Sequence, residues 1–214
     1  MADFSIVLGT RIWSTWSMRP WLVLHRTGAS FDETVIRLRA DDTVAQVAAV
    51  SPSGLVPLLT DHRFGAPIQV WDSLAICEYL AESFPEKNLW PADRAARAVA
   101  RSVSAEMHSG FARLRHSLAM DLFAEKPGEG YGDEGVAAQV ARIDAIFRDC
   151  RARFGAGGPY LFGAWSIADA MFAPVASRFR TYRPPISDVA AAYVETITGD
   201  AGFRAWEDAA RREL

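Results

Sequence analysis

The sequence predicts an α/β domain followed by an all-α domain, and three observations predict it. Short apolar runs closed by turn formers alternate with helix-period segments over residues 4–83. The stretch Phe84-Pro85-Glu86-Lys87-Asn88-Leu89-Trp90-Pro91 then breaks the pattern with two prolines. Beyond it every periodic segment favours helix and none reads as a strand, which is the pattern of an α/β unit joined to a helical one.

In chain order, Phe4-Ser5-Ile6-Val7-Leu8-Gly9 reads as a buried strand, apolar and closed by glycine. Ser17 is placed to cap a helix from Met18, with Pro20 inside the first turn, where its missing N–H is harmless. That helix buries Trp21, Leu22 and Leu24 and stops at Thr27-Gly28. Phe31 to Leu38 reads as a second strand, and Thr43 to Val50 as a short helix. Ser51 to Asp61 and Pro67 to Ser73 hold two apolar runs around a polar turn, the pattern of a hairpin. From Ser73 the period becomes helical through Ile76, Cys77 and Leu80. The later helices are expected over residues 94–122, 136–154, 166–179, 190–196 and 202–212. The expected organisation is an α/β domain over 1–83, a linker over 84–92 and a helical domain over 93–214.

Composition narrows the functional classes. The chain has 214 residues, 50% hydrophobic and 23% charged, which is ordinary globular composition. A net charge of −3 argues against an extended nucleic-acid face. No apolar run approaches the roughly 18 residues of a spanning helix, and the N-terminus lacks a basic region and a signal-length apolar core. The expectation is a cytoplasmic protein with no membrane or nucleic-acid partner. Cys77 and Cys150 sit in helical patterns without a CxxC partner and read as reduced, structural thiols. The four histidines show no metal-site spacing, so no metal is expected. Gly130 to Gly135 satisfies GxGxxG, but no strand precedes it, and a helix–helix connection explains it better.

Three features could carry chemistry. Trp13-Ser14-Thr15-Trp16-Ser17-Met18-Arg19-Pro20-Trp21 crowds three tryptophans and three hydroxyls into a turn, and connections that carry such residues tend to be sites. Val56-Pro57 puts a proline where an apolar strand starts; a cis bond is one resolution, although X–Pro bonds are trans by default. Asp72-Ser73 opens a helix. Its serine is a plain N-cap, or else part of an anion site in which helix amides, a hydroxyl and the helix dipole meet a carboxylate. Asp72 beside it could then hold an ammonium group.

Taken together, Ser14 to Arg19, Val56-Pro57, Val70-Trp71-Asp72-Ser73-Leu74-Ala75-Ile76 and "GAWSIADAMFAPV" (Gly163 to Val175) resemble a cytosolic glutathione transferase, in the right order and at compatible distances over nearly the whole chain. The resemblance implies an N-terminal thioredoxin-like domain, a C-terminal helical bundle, a cis Val56-Pro57 bond, glutathione as co-substrate and a homodimer. It is nearest to the serine-type classes, especially zeta, and points to Ser14 as the hydroxyl that stabilises the glutathione thiolate. Thr15 is a second possible donor, and Ser17 is the helix cap by position. By the same resemblance the Val56 backbone binds the cysteinyl moiety, Asp72 and Ser73 take the γ-glutamyl end, and Gln46 is the nearest candidate for the glycyl end. The zeta pattern has a cysteine where Trp16 stands, and the family's basic residue before Val-Pro is Leu55 here.

Trp13 and Trp16 wall a pocket for a small hydrophobic electrophile, or pack between the domains. Met107 and Phe111, at helical spacing with Glu106 and Gly110, are further candidates for that pocket, although such a stripe is more often core. Ser166 to Asp169 has the form of a capping box with a structural role. The expected activity is glutathione transfer to hydrophobic electrophiles. The alternatives are a glutathione-dependent isomerase of the maleylacetoacetate type, or a glutathione-fold protein that binds without catalysis.

Overall fold

A computed structural model describes residues 2–214. They form two compact units: one runs through Lys87 and also takes in Ala205–Leu214, and the other is Asn88–Arg204.

The first unit is built on a four-stranded sheet. Its strands are β1 (Phe4–Gly9), β2 (Phe31–Ile36), β3 (Leu58–Asp61) and β4 (Ile68–Trp71), in the order β2-β1-β3-β4. β1 and β2 run parallel, with Phe4 opposite Phe31, because helix α1 (Thr15–Thr27) provides the crossover between them. β3 is antiparallel to β1 and to β4, the latter pairing being the hairpin expected from sequence. Alternation along β1 sends Phe4, Ile6 and Leu8 to one face, all fully buried, and α1 and α3 (Ser73–Ser83) pack together with Met18, Leu24, Ile76 and Leu80 in the same core. Burial of each such side chain stabilises by about 1.5–3 kcal/mol. Helix α2 (Thr43–Val50) connects β2 to β3 and buries only Val47. Pro57 precedes β3, so no ladder bond is lost to it, and the Val56–Pro57 bond is cis.

The start of α1 differs from the sequence expectation. The helix begins at Thr15, not Met18, so Ser14 holds the N-cap position and Ser17 lies inside the first turn. Pro20 therefore falls beyond the first turn, where it has no N–H for the Trp16 carbonyl. Gly28 ends the helix in the left-handed conformation at φ 75°, as a glycine there can.

The second unit is helical: α4 (Arg94–Ser109), α5 (Ala112–Ser117), α6 (Val136–Phe154), α7 (Ile167–Tyr182) and α8 (Asp188–Gly199), followed by the start of α9 (Ala201–Arg211). α7 is buried along nearly its whole length and packs against α4 and α8. Phe147 of α6 meets Phe172 at 5.2 Å and Tyr193 at 4.6 Å, both edge-on. The single helix expected over 94–122 is broken at Gly110-Phe111. A Cβ on Gly110 would sit 2.8 Å from the Glu106 carbonyl oxygen, and Phe111 is left-handed at φ 62°. Arg115 closes the break by donating to the carbonyls of Met107, His108 and Gly110, the orphan acceptors at the end of α4.

Asp169, fully buried, is the hub of the expected capping box. Its carboxylate accepts from Ser166 N–H (2.8 Å), Ser166 Oγ (3.1 Å), Leu161 N–H (3.1 Å) and Tyr193 Oη (3.0 Å). Burial still pushes its pKa up to about 6. Cys77 and Cys150 are both buried and unpaired, and burial raises both thiols, Cys150 to about 12, so neither is a ready nucleophile.

The sequence reading groups residues 205–214 with the helical domain, whereas their contacts place them with the first unit. The reason is Trp206, fully buried and 5.3 Å from the Trp21 ring, together with Glu213, which binds Arg11. No helix of the described residues is long and apolar enough to cross a membrane.

Candidate active site

The hydroxyl turn follows β1 directly. Thr10 organises it: its carbonyl accepts the N–H groups of Trp13 (3.2 Å) and Ser14 (2.9 Å), and its own N–H donates to Ile36 (3.1 Å). Ser14 is 5% exposed and occupies the N-cap, yet its side chain bonds no helix amide. Instead Ser14 Oγ donates to Ser17 Oγ at 2.8 Å, and Ser17 Oγ accepts the Gly9 N–H at 3.0 Å. Ser17 is fully buried, so it ties the helix to the end of β1, and the cap role expected for it is corrected. Ser14 is the outer member of this pair, at the end of α1 where backbone N–H groups are left over. Thr15 is buried as well, at 7% exposure. Trp16 is 37% exposed with the Arg19 guanidinium 4.5 Å from its ring centroid, and Trp13 carries Arg39 at 4.3 Å.

At the other helix start the roles also differ from the simplest expectation. Asp72, not Ser73, caps α3: its Oδ1 accepts from Leu74 N–H (2.9 Å) and Ala75 N–H (3.1 Å). Asp72 does so at φ 73°, ψ 131°, a conformation that costs a non-glycine residue about 1–3 kcal/mol and is concentrated at ligand clamps. Because the aspartate caps, the Ser73 hydroxyl is left over. It is 1% exposed and has no hydrogen-bond partner among the described residues. A buried hydroxyl without a partner costs about 1–3 kcal/mol, which a ligand acceptor at the helix N-terminus would recover.

Val56, half-buried ahead of the cis proline, enters none of the turn, loop or cap hydrogen bonds with its main chain. Gln46 lies exposed on α2, and its amide donates to Asp42 Oδ2 at 2.6 Å. Met107 is fully buried and Phe111 7% exposed, both among the core of the second unit, which favours the core reading of that stripe. A cavity of about 370 Å³ in that unit is lined by Trp90, Asp93, Phe154, Phe162 and Trp165, among others, and by neither Met107 nor Phe111. Among the described residues no group of three or more His, Cys, Asp or Glu side chains could hold a metal ion.

Comparison with known proteins decides the family. The model of the glutathione S-transferase N-terminal domain matches residues 13–83, and that of the glutathione S-transferase C-terminal domain matches residues 133–211. Together they take in most of the chain. The chain belongs to the glutathione S-transferase superfamily. It is 32% identical over 110 residues to the glutathione S-transferase GstB of Escherichia coli, a match covering 51% of this chain and 48% of the relative. The chain thus spans about half the length of that relative. It is 23% identical over 180 residues to a probable maleylacetoacetate isomerase of Caenorhabditis elegans, covering 82% and 81%. A glutathione transferase homologue from Burkholderia, solved with bound glutathione, superposes with a TM-score of 0.70 at 24% identity over 98% of this chain and 99% of the other, which establishes the shared fold.

Within the superfamily the first unit of this chain has the thioredoxin-like arrangement and the second is the helical domain expected from sequence. The N-terminal family match begins at Trp13, so the hydroxyl turn, the cis proline and the α3 N-terminus all fall inside it. Sequence reasoning missed that Asp72 takes the cap and that Ser17 is the partner of Ser14. A signal for the first was present, since aspartate caps as readily as serine and stands one residue earlier.

Proposed function

We propose that the protein is a glutathione transferase that stabilises the glutathione thiolate with the Ser14 hydroxyl for attack on small hydrophobic electrophiles. The observation that carries this reading is the buried Ser73 hydroxyl left without a partner at the N-terminus of α3. Such a donor, set beside leftover helix amides, suits the carboxylate of the γ-glutamyl end, and Asp72 next to it suits the ammonium. Val56 N–H and C=O, uncommitted elsewhere in the turns and loops, suit the peptide groups of the cysteinyl residue. Gln46 would have to leave Asp42 to reach the glycyl end.

The bound thiol would then lie toward the turn at the start of α1. The Ser14 proton turns from Ser17 Oγ to the sulfur as the thiol ionises, and the N-terminus of α1 adds favourable potential. Ser14 neither takes up the proton nor attacks the electrophile. The new bond is carbon–sulfur, made with the thiolate's electron pair. It displaces a leaving group that departs with its own bonding pair, or opens an electron-poor double bond whose electron pair then takes a proton from solvent. The thiol proton leaves to solvent. Trp16, part-exposed beside the turn, and Trp13 are the side chains we assign to the electrophile wall.

We further propose a homodimer, supported by exposed apolar side chains of the first unit such as Leu55 (68% exposed), Phe64 (56%) and Trp71 (47%). A cytoplasmic location suits the two buried, unpaired cysteines. The test is a conjugation and isomerisation panel with glutathione beside a no-enzyme blank. Conjugation above the blank that falls in Ser14→Ala supports the proposal; binding of glutathione without turnover of any electrophile rejects it in favour of a binding protein.

A further inference from the structure

We infer that residues 206–213 position the Ser14 turn, making Glu213, acting through Arg11, a positioning residue for thiol activation; the catalytic half of this inference rests on the Ser14 proposal. Arg11 stands three residues before Ser14, in the loop that leaves β1. Glu213 holds it twice: Oε2 accepts the Arg11 backbone N–H at 2.8 Å, and Oε1 accepts Nη1 at 2.5 Å. The indole N–H of Trp206 donates to the Arg11 carbonyl at 3.2 Å. Both main-chain groups of Arg11 and one arm of its guanidinium are therefore fixed by a segment some two hundred residues away in sequence.

The other arm pairs with Glu33 of β2, and Glu33 also accepts from the Trp21 indole of α1. The Arg11 side chain is 5% exposed and that of Glu213 16%, so solvent screens this pair little. A loop could satisfy its backbone with water far more simply. A desolvated, multiply bonded ion pair is a poor means of adding stability but a good means of fixing one geometry.

The turn thus has two anchors. Thr10 ties it to the sheet through Ile36 and through Leu38 N–H, which donates to Thr10 Oγ1 at 2.8 Å. Arg11 ties it to residues 206–213. Between the second anchor and Ser14 lie only Ile12 and Trp13, so a shift at Arg11 reaches the Ser14 hydroxyl without slack. A hydrogen bond that must meet a developing thiolate tolerates only a few tenths of an ångström of misplacement.

The test compares Glu213→Gln, which keeps size but removes the charge, with Ala205→Gly, which lowers the helix propensity of α9 and removes no bond to Arg11. Glu213→Gln should speed amide exchange at Trp13 and Ser14 at least about tenfold, raise the pKa of the bound glutathione thiol by about half a unit to one unit, and leave the KM for glutathione within about twofold. Ala205→Gly should do none of these. Unchanged exchange at Trp13 and Ser14 in folded Glu213→Gln, or the same changes in Ala205→Gly, overturns the inference. Faster exchange with an unmoved thiol titration, where Ser14→Ala does move it, overturns the catalytic half alone. A Ser14→Ala protein that titrates like wild type overturns the Ser14 proposal itself, and the exchange comparison still decides whether the segment holds the turn.

Discussion

Removing the Ser14 hydroxyl tests the proposed chemistry most directly, and the structure sets the size of the effect. In the free protein this hydroxyl is already engaged, donating to Ser17 Oγ at 2.8 Å. Ionisation of the bound thiol therefore exchanges a neutral hydrogen bond, worth about 0.5–1.5 kcal/mol net, for a charge-assisted one of about 1.5–3 kcal/mol. The difference is about 1–1.5 kcal/mol, or roughly one pKa unit. A serine with nothing to release would supply up to roughly two units. Ser14→Ala should accordingly raise the pKa of the bound thiol by about one unit, cost up to about tenfold in conjugation rate at neutral pH, and change glutathione affinity little.

Ser17→Ala should move the same quantity the other way. Without Ser17 Oγ the protonated-thiol state loses the competing bond, so the Ser14 proton is given to sulfur at no loss and the thiol pKa falls by up to about one unit. The same substitution strands the Gly9 N–H, which Ser17 accepts at 3.0 Å, and should lower stability by about 1–3 kcal/mol. The assay is the pH dependence of thiolate absorbance in the glutathione complex of each variant. A Ser14→Ala titration that overlays wild type, or a Ser17→Ala titration that moves upward while Ser14→Ala does not, refutes the reasoning.

Other expectations follow from Ser73, from Asp169 and from the exposed apolar side chains of the first unit. Ser73→Ala should weaken glutathione by about 1–3 kcal/mol in calorimetry, while stability stays level or rises slightly because a buried hydroxyl without a partner is removed; unchanged affinity would place the γ-glutamyl end elsewhere. Asp169→Ala strands four donors and should cost about 3 kcal/mol or more in denaturant melts, with activity per folded molecule intact. Because burial raises the Asp169 carboxyl to about 6, the folded chain binds this proton more tightly than the unfolded one; its contribution is full below about pH 4 and is lost as pH rises through about 6, a falling slope that Asp169→Ala should lack. Light scattering should give a dimer mass at micromolar concentration, and a monomer mass there rejects the homodimer.

The regular parts of the fold were legible because local patterns dictate them. β1, the end of α1 at Gly28, α2, the β3–β4 hairpin and α6 lie where apolar period and turn formers put them. What escaped is set by tertiary contact. The break at Gly110-Phe111 interrupts an unbroken helical period and is held by Arg115, which reaches back to carbonyls of α4. The return of residues 205–214 to the first unit depends on Trp206 and Glu213 meeting Arg11, and no local pattern marks a contact between chain ends. The Ser14–Ser17 bond, by contrast, was within reach, since residues three apart at a helix start face each other.

At both helix starts that carry the proposed site, register decides chemistry more than residue type does. Each start offers two polar side chains, Ser14 with Ser17 and Asp72 with Ser73, and only one of each pair is outermost. Had α1 begun at Met18, Ser17 would bond a helix amide and the end of β1 would lose its acceptor. Starting at Thr15 turns Ser17 inward to Gly9 and leaves Ser14 at the rim with a proton it can redirect. Had Ser73 capped α3, its hydroxyl would be used up within the helix. The left-handed Asp72 takes that role at a conformational cost, and the hydroxyl beneath it stays unmatched. Strain at one residue and an unsatisfied group at the next both destabilise the free chain, and in the proposed reading a ligand carboxylate at the helix end would offset that cost by pairing the Ser73 hydroxyl. Two destabilising features at adjacent residues of one helix start are what the proposed γ-glutamyl site would leave in the free chain.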